Sequence, residues 1–213
     1  MAYAYSIAAT VAAYLVGSLA FAVIVSRVMG LADPRTFGSK NPGATNVLRS
    51  GNKAAALVVL MLDGLKGFVP VVLVKHFGSA YGLEDGTIAL VAFAAFLGHL
   101  YPVFFKFKGG KGVATFIGVV FGIEWILGAG TGLTWIIIAF FFRYSSLASL
   151  VSAAFAPAYY LLAHGVAWYA DTRIAVALFS MAMLLAWRHR ENISRLLQGK
   201  ESRLGGTKKA GTA

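Results

Sequence analysis

Cysteine is absent from this 213-residue chain, which excludes disulfides and thiolate metal sites. Charge is scarce. Asp, Glu, Lys and Arg make up 13% of the residues, roughly half the share a soluble domain carries. Acidic groups are scarcer still, 8 against 19 basic ones. Several catalytic signatures are missing as well. No His-Glu-x-x-His sequence occurs and the four histidines are scattered, so metal catalysis lacks a ligand set. A Gly-x-Ser-x-Gly nucleophile elbow is missing. So is the nucleotide loop Gly-x-x-x-x-Gly-Lys-Ser/Thr: Gly112 follows Lys111, and no glycine stands five residues before Gly110. No metal and no cofactor is expected.

What remains is apolar. Hydrophobic residues make up 59% of the chain, and the mean hydropathy is +0.74. Apolar runs near the length of a membrane span recur, which predicts an all-α, polytopic integral membrane protein. The expected spans are 5–28, 53–74, 87–105, 113–122, 125–142, 147–167 and 174–187. The first is too long for a signal peptide and lacks a basic leader, so it reads as a retained span. The fourth is short: about ten helical residues reach only ~15 Å against a ~30 Å hydrocarbon core. Charge asymmetry argues that it crosses. Seven crossings with the N-terminus outside put sixteen of the 19 basic residues on the cytoplasmic face. These are Arg27 to Lys53, Lys106 to Lys111, Arg143, and the seven from Arg188 to Lys209. Six crossings would strand those last seven outside, against the positive-inside rule. The formal charge of +11 therefore points to a lipid bilayer with anionic headgroups and not to nucleic acid. The chain reads as one domain over 1–213, with 204–213 a disordered tail.

Three polar, glycine-containing segments fall on the cytoplasmic side of this topology. The first, Arg35–Asn52, reads RTFGSKNPGATNVLRSGN. It packs Ser39, Asn41, Thr45, Asn46 and Arg49 around glycines, a pattern able to aim many donors at an anion. The Arg49 fork suits phosphate. The second, Phe104–Phe116, reads FFKFKGGKGVATF. Gly109, Gly110 and Gly112 allow close backbone approach, and a helix beginning near Val113 turns its N-terminus to the loop, which favours phosphate beside Lys111. Lys106 and Lys108 serve partly as inside-facing anchors. The third, Trp187–Glu201, reads WRHRENISRLLQGKE. Arg188, Asn192 and Arg195 share a helical face, with His189 beside Asn192. It doubles as an interfacial helix. His99 reads equally as a base or as a structural histidine. Asp63 and Lys66, three apart inside a span, read equally as functional or mutually neutralising, and stay outside the site. Among Ser145, Ser146 and Ser149, a cap is the role expected of Ser145.

These features describe a cytoplasmic-face site that meets a phosphorylated molecule from water and an acyl or isoprenoid chain from the bilayer. The motifs GSKNPGATNVLRSG, GHLYPVFFKFKGGKGVAT and WRHRENISRLLQGKE, in that order, closely resemble the three signature segments of the bacterial acyl-phosphate:glycerol-3-phosphate acyltransferase (PlsY) family. The resemblance implies transfer of a fatty acyl group from acyl phosphate to the 1-hydroxyl of sn-glycerol 3-phosphate, giving lysophosphatidic acid and inorganic phosphate, in the bacterial inner membrane. The acyl-CoA-dependent pattern His-x-x-x-x-Asp is absent: Tyr81, Phe104, Tyr169 and Ser194 stand five residues after the four histidines. By resemblance, Ser39, Arg49, Lys111, His189 and Asn192 are the catalytic set. Asn41, Thr45, Asn46, Gly109, Gly110, Gly112, Ser149 and Glu201 are expected to bind substrate. Direct transfer is expected, with Ser39 binding and not attacking. His189, His99 and a substrate phosphate oxygen all stand as acceptors of the hydroxyl proton. A transporter for a phosphorylated or anionic solute is the competing class; it would more often show broken spans in two matching halves and a midplane site.

Overall fold

The computed structural model describes residues 1–205; the tail expectation for 206–213 lies outside them. Ten α-helices run in the order α1 (Ala2–Gly17), α2 (Phe21–Val28), α3 (Ala44–Leu48), α4 (Lys53–Phe77), α5 (Asp85–Leu100), α6 (Val113–Ile123), α7 (Trp125–Phe142), α8 (Ser145–Leu162), α9 (Thr172–Arg188) and α10 (Arg190–Leu197), with no strand among the described residues. Four helical segments are long and apolar enough to cross a membrane: α4 with the turn after it, α5 with the turn after it, α7 and α8. A bent α1–α2 pair makes a fifth. The helices at the fourth and seventh expected spans, α6 and α9, are shorter, at 11 and 17 residues. Large apolar side chains such as Leu60, Leu133, Ile136, Phe140, Phe141 and Met183 point outward, a surface suited to lipid and unlike that of a soluble monomer.

The bundle is assembled by small residues. Helix α5 is the most enclosed of the long helices and packs on α1, α4, α6 and α9. Gly17 of α1 lies on the Ala95 backbone, and Gly98 of α5 lies on Tyr14 and Gly17. Membrane helices gain van der Waals contact where small residues admit such approach. The first span was expected unbroken. It bends by 44° between α1 and α2, and the freed Leu19 carbonyl accepts a 2.7 Å hydrogen bond from Lys66 Nζ. A carbonyl released from a helix inside a bilayer requires such a partner. The third span ends at Phe105 as expected, although its α-helix stops at Leu100, where Pro102 and a 3₁₀ turn redirect the chain.

The short α6 has a clear cause. It runs alongside only the later part of α4: Thr115 meets Asp63 and Gly67, Gly118 meets Gly64, and Gly122 meets Val71. At the far end, Lys75 of α4 bonds the Ile123 carbonyl and pairs with Glu124 at 2.8 Å. Helix α6 thus starts level with Asp63, ten residues into α4, or roughly 15 Å below the start of α4. The last turn of α5 lies at the same level, with His99 beside Asp63, so the loop between α5 and α6 joins two helix ends set below the start of α4. At Glu124 the chain folds back, because Gly128 of α7 lies against Phe121 of α6.

Helix ends collect at two poles. One holds the Tyr5–Tyr81 ring pair, the Ser6–Thr87 hydrogen bond, Lys75 with Glu124, and Arg173 between Asp171 and Glu84. The other holds all three polar segments.

Candidate active site

At that second pole the three segments meet. Segment one is a loop closed by Asn46, which is almost fully buried on the short α3. Its amide donates to the carbonyls of Pro34 (2.6 Å) and Phe37 (3.1 Å), and its Oδ1 accepts the Ser39 N–H at 3.0 Å. The Asn46 side chain is thus committed to shaping the loop that presents Ser39. Ser39, Thr45 and Arg49 are exposed and Asn41 is half-buried. Arg49 Nη2 donates to Ser202 Oγ at 2.8 Å. Asn46→Asp would keep the acceptor for Ser39 but turn two donated bonds into oxygen–oxygen repulsions. The expected outcome in steady-state kinetics is a loss of at least roughly tenfold in kcat/KM, accompanied by a lowered thermal unfolding midpoint.

Segment two crosses beneath segment one. The Gly110 N–H donates to the His99 carbonyl at 3.2 Å, and Gly110 lies against the His99 ring edge and the Pro42 carbonyl. Gly109 and Gly110 are buried, and Arg188 of α9 grips both of their carbonyls, with Nη2 at 2.8 and 3.0 Å. Their carbonyls are therefore occupied. Gly112 takes the left-handed conformation, φ +89°, against Phe96 and Leu100, where any side chain would be strained. It starts α6, so the α6 N-terminus opens onto Lys111. Gly109, Gly110 and Gly112 therefore build the loop by close packing.

Segment three supplies the facing wall. Lys111 Nζ donates to Asn192 Oδ1. Asn192 Nδ2 donates to Glu201 at 2.6 Å, Arg195 Nε to Glu201 at 2.7 Å, and Ser146 Oγ to Glu201 at 2.8 Å. Burial opposes ionisation of Glu201, but bonds from Asn192, Arg195 and Ser146 outweigh it and hold the carboxyl below its usual range. Burial, with the Arg195 charge beside it, pushes Lys111 down to about 8. His189 is buried, and its Nδ1–H donates to the Leu185 carbonyl at 2.8 Å, so Nε2 carries the lone pair. Burial, reinforced by the Lys111 charge, pushes it down to about 4. This is a cationic, donor-rich cluster with a neutral imidazole beside it.

In the serine cluster, Tyr144 and not Ser145 takes the cap position of α8, with no side-chain cap bond. Ser149 donates to the Ser145 carbonyl and accepts from Trp135 Nε1 at 3.1 Å, which seats it between α7 and α8. Ser146, Arg188 and Arg195 lie in the network outside the expected set. Arg188 and Arg195 stood out in the sequence at helical spacing from Asn192, but the carbonyls and carboxylate they bind did not. Among the described residues no group of acidic or histidine side chains could hold a metal ion.

The glycerol-3-phosphate acyltransferase family model matches residues 7–199. A glycerol-3-phosphate acyltransferase of Albidiferax ferrireducens is 63% identical over 98% of this chain and 92% of its own length. One from Burkholderia pseudomallei is 61% identical over 95% of this chain and 97% of its own. Two crystal structures of PlsY (YgiH), an integral membrane glycerol 3-phosphate acyltransferase, superpose with TM-scores of 0.86 and 0.84 at 39% and 38% identity. They are the glycerol 3-phosphate form and the lysophosphatidic acid form, each aligned over 94% of this chain and 96% of the other. The chain that builds this cluster belongs to the glycerol-3-phosphate acyltransferase family.

Proposed function

We propose that this protein transfers a fatty acyl group from acyl phosphate to the 1-hydroxyl of sn-glycerol 3-phosphate, forming lysophosphatidic acid and inorganic phosphate. It works at the cytoplasmic face of a bacterial inner membrane, crossing seven times with its N-terminus outside. The convergence of Lys111, Asn192 and His189 with the Arg188-clamped glycine loop carries this reading. The recessed loop and short α6 bring a phosphate-binding N-terminus below the level of the α4 start, where an acyl chain from the bilayer can reach it.

Acyl phosphate is already activated, with phosphate as leaving group, so the site has only to orient, neutralise and exclude water. Arg49, Lys111 and the α6 N-terminus bind phosphate. Ser39 and Thr45 add donors from segment one. The hydroxyl oxygen attacks the acyl carbon, the bond from that carbon to the phosphate oxygen breaks, and inorganic phosphate departs. His189 Nε2 accepts a hydrogen bond from the hydroxyl and orients it. At about 4, His189 is a weaker base than a phosphate oxygen with its second pKa of about 6, so the proton leaves on phosphate. His99 is enclosed by Gly110 and Asp63 and has no opening toward a hydroxyl.

Purified protein given glycerol 3-phosphate is expected to release phosphate with acyl phosphate and to turn over no acyl-CoA. Absence of release, or equal turnover of acyl-CoA, overturns the reading. A pH profile adds a second check. Lys111 loses its proton near 8, so raising the pH removes a cation from the phosphate site. The expected kcat/KM falls above that point by roughly tenfold per pH unit. Lys111→Arg keeps its charge and is expected to shift that limb upward. A flat profile between pH 7 and 9 contradicts this role.

A further inference from the structure

Three polar side chains lie below the loop and take no part in the chemistry above. Asp63 and Lys66 of α4 are almost fully buried and form an ion pair at 2.7 Å. Charges within a membrane bundle are costly to keep and mark a use. Lys66 has two further partners, the Leu19 carbonyl at the α1–α2 bend and the Phe21 ring at 5.6 Å. The Asp63 main-chain carbonyl accepts the hydroxyl of Thr115, in the first turn of α6, at 2.9 Å. His99, in the last turn of α5, points Nδ1 at Asp63 Oδ1 across 3.6 Å, and this nitrogen has no hydrogen-bond partner. Its other edge, Nε2, lies against Gly110, whose N–H bonds the His99 carbonyl. A continuous line of contacts therefore runs from the α1–α2 bend through Lys66, Asp63 and His99 to the glycine loop.

We propose that Asp63, Lys66 and His99 are positioning residues for the phosphate loop. The ion pair fixes the Asp63 carboxylate, that carboxylate orients the His99 ring through Nδ1, and the ring sets the height of Gly110 and with it the aim of Lys111. Neutralisation alone would need Asp63 and Lys66 only. It would leave the approach of His99 Nδ1 and the contact at Gly110 without purpose. A bare ion pair also needs no bond to Leu19 and no anchor on Thr115.

This inference rests on the phosphate-loop reading of the site, and the test separates the two. Two amides imitate opposite nitrogens of the imidazole: His99→Asn keeps a donor near the Nδ1 position, and His99→Gln moves it to the Nε2 position. KM and kcat are measured for both substrates in detergent-purified protein. H99N is expected to stay within threefold of wild type. H99Q is expected to raise the KM of one phosphate substrate at least tenfold while kcat changes less than threefold. Equal behaviour of the two variants, or the reverse order, overturns the positioning role, because simple packing does not distinguish the nitrogens. Should H99Q fail to fold, ¹⁵N-histidine spectra of the wild-type protein decide. A proton on His99 Nδ1 is expected; its absence overturns the proposal. Wild-type protein that turns over no acyl phosphate is a different failure, that of the functional reading.

Discussion

Gly110→Ala is expected to lower kcat/KM by at least roughly a hundredfold, about 2.7 kcal/mol of transition-state stabilisation, in a protein that still folds. A Cβ on Gly110 would overlap the His99 ring nitrogen and come within 2.9 Å of the Pro42 carbonyl. Neither neighbour yields easily. The His99 ring is wedged between Asp63 and the loop, and Pro42 belongs to the segment that carries Ser39. The loop itself must lift, breaking the Gly110 bond to the His99 carbonyl and loosening the Arg188 grip on Gly109 and Gly110. Lys111 would move with it, away from Asn192. Displacement of a catalytic group by ~1 Å costs on the order of a hundredfold. Steady-state kinetics beside a thermal melt in detergent measures the effect. Near-normal kcat/KM would mean that the loop does not aim Lys111.

Gly118→Val is expected to act on assembly. Gly118 sits directly on the Gly64 backbone, with a Cβ 2.8 Å from the Gly64 carbonyl carbon and closer still to its oxygen. A branched side chain would push α6 off α4 along a contact that includes Thr115 with Asp63 and Gly122 with Val71. Overpacking of this kind costs about 3 kcal/mol or more, a large fraction of the stability of an average domain. It also lifts the start of α6, and the glycine loop depends on the position of that start. A markedly lowered unfolding midpoint and a shift toward aggregate on size exclusion are expected. Retention of wild-type stability would show that α4 and α6 are not held at backbone contact.

Much of this was legible in the sequence, and the exceptions have physical causes. The polar segments stood out because charge and glycine are scarce in an apolar chain, and helices α4, α5, α7 and α8 followed from apolar length. The α1–α2 bend did not show, because apolar residues run through it. It depends on Gly17 meeting α5 and on Lys66 meeting Leu19, contacts with partners far along the chain. The fourth span reads as short from its length, but its depth is set by Gly118 lying on Gly64, a contact between segments far apart in the chain. Asn46 looked like one more donor among many, and only burial shows its amide spent on Pro34, Phe37 and Ser39. Ser146 and Ser149 are three apart on one helix. Which of them reaches Glu201 is decided by Trp135, which engages Ser149. The ambiguity over Asp63, Lys66 and His99 was one of partners: spacing suggested the ion pair, but nothing in the sequence brought His99 to it.

In the proposed function, one site built from three segments carries out direct acyl transfer without an acyl-enzyme. Initial rates with both substrates varied test it most directly, paired with mass spectrometry of protein incubated with acyl phosphate alone. Intersecting double-reciprocal lines and an unmodified chain are predicted, since both substrates must be bound together before transfer. Parallel lines, with an acyl group trapped on Ser39, would contradict it.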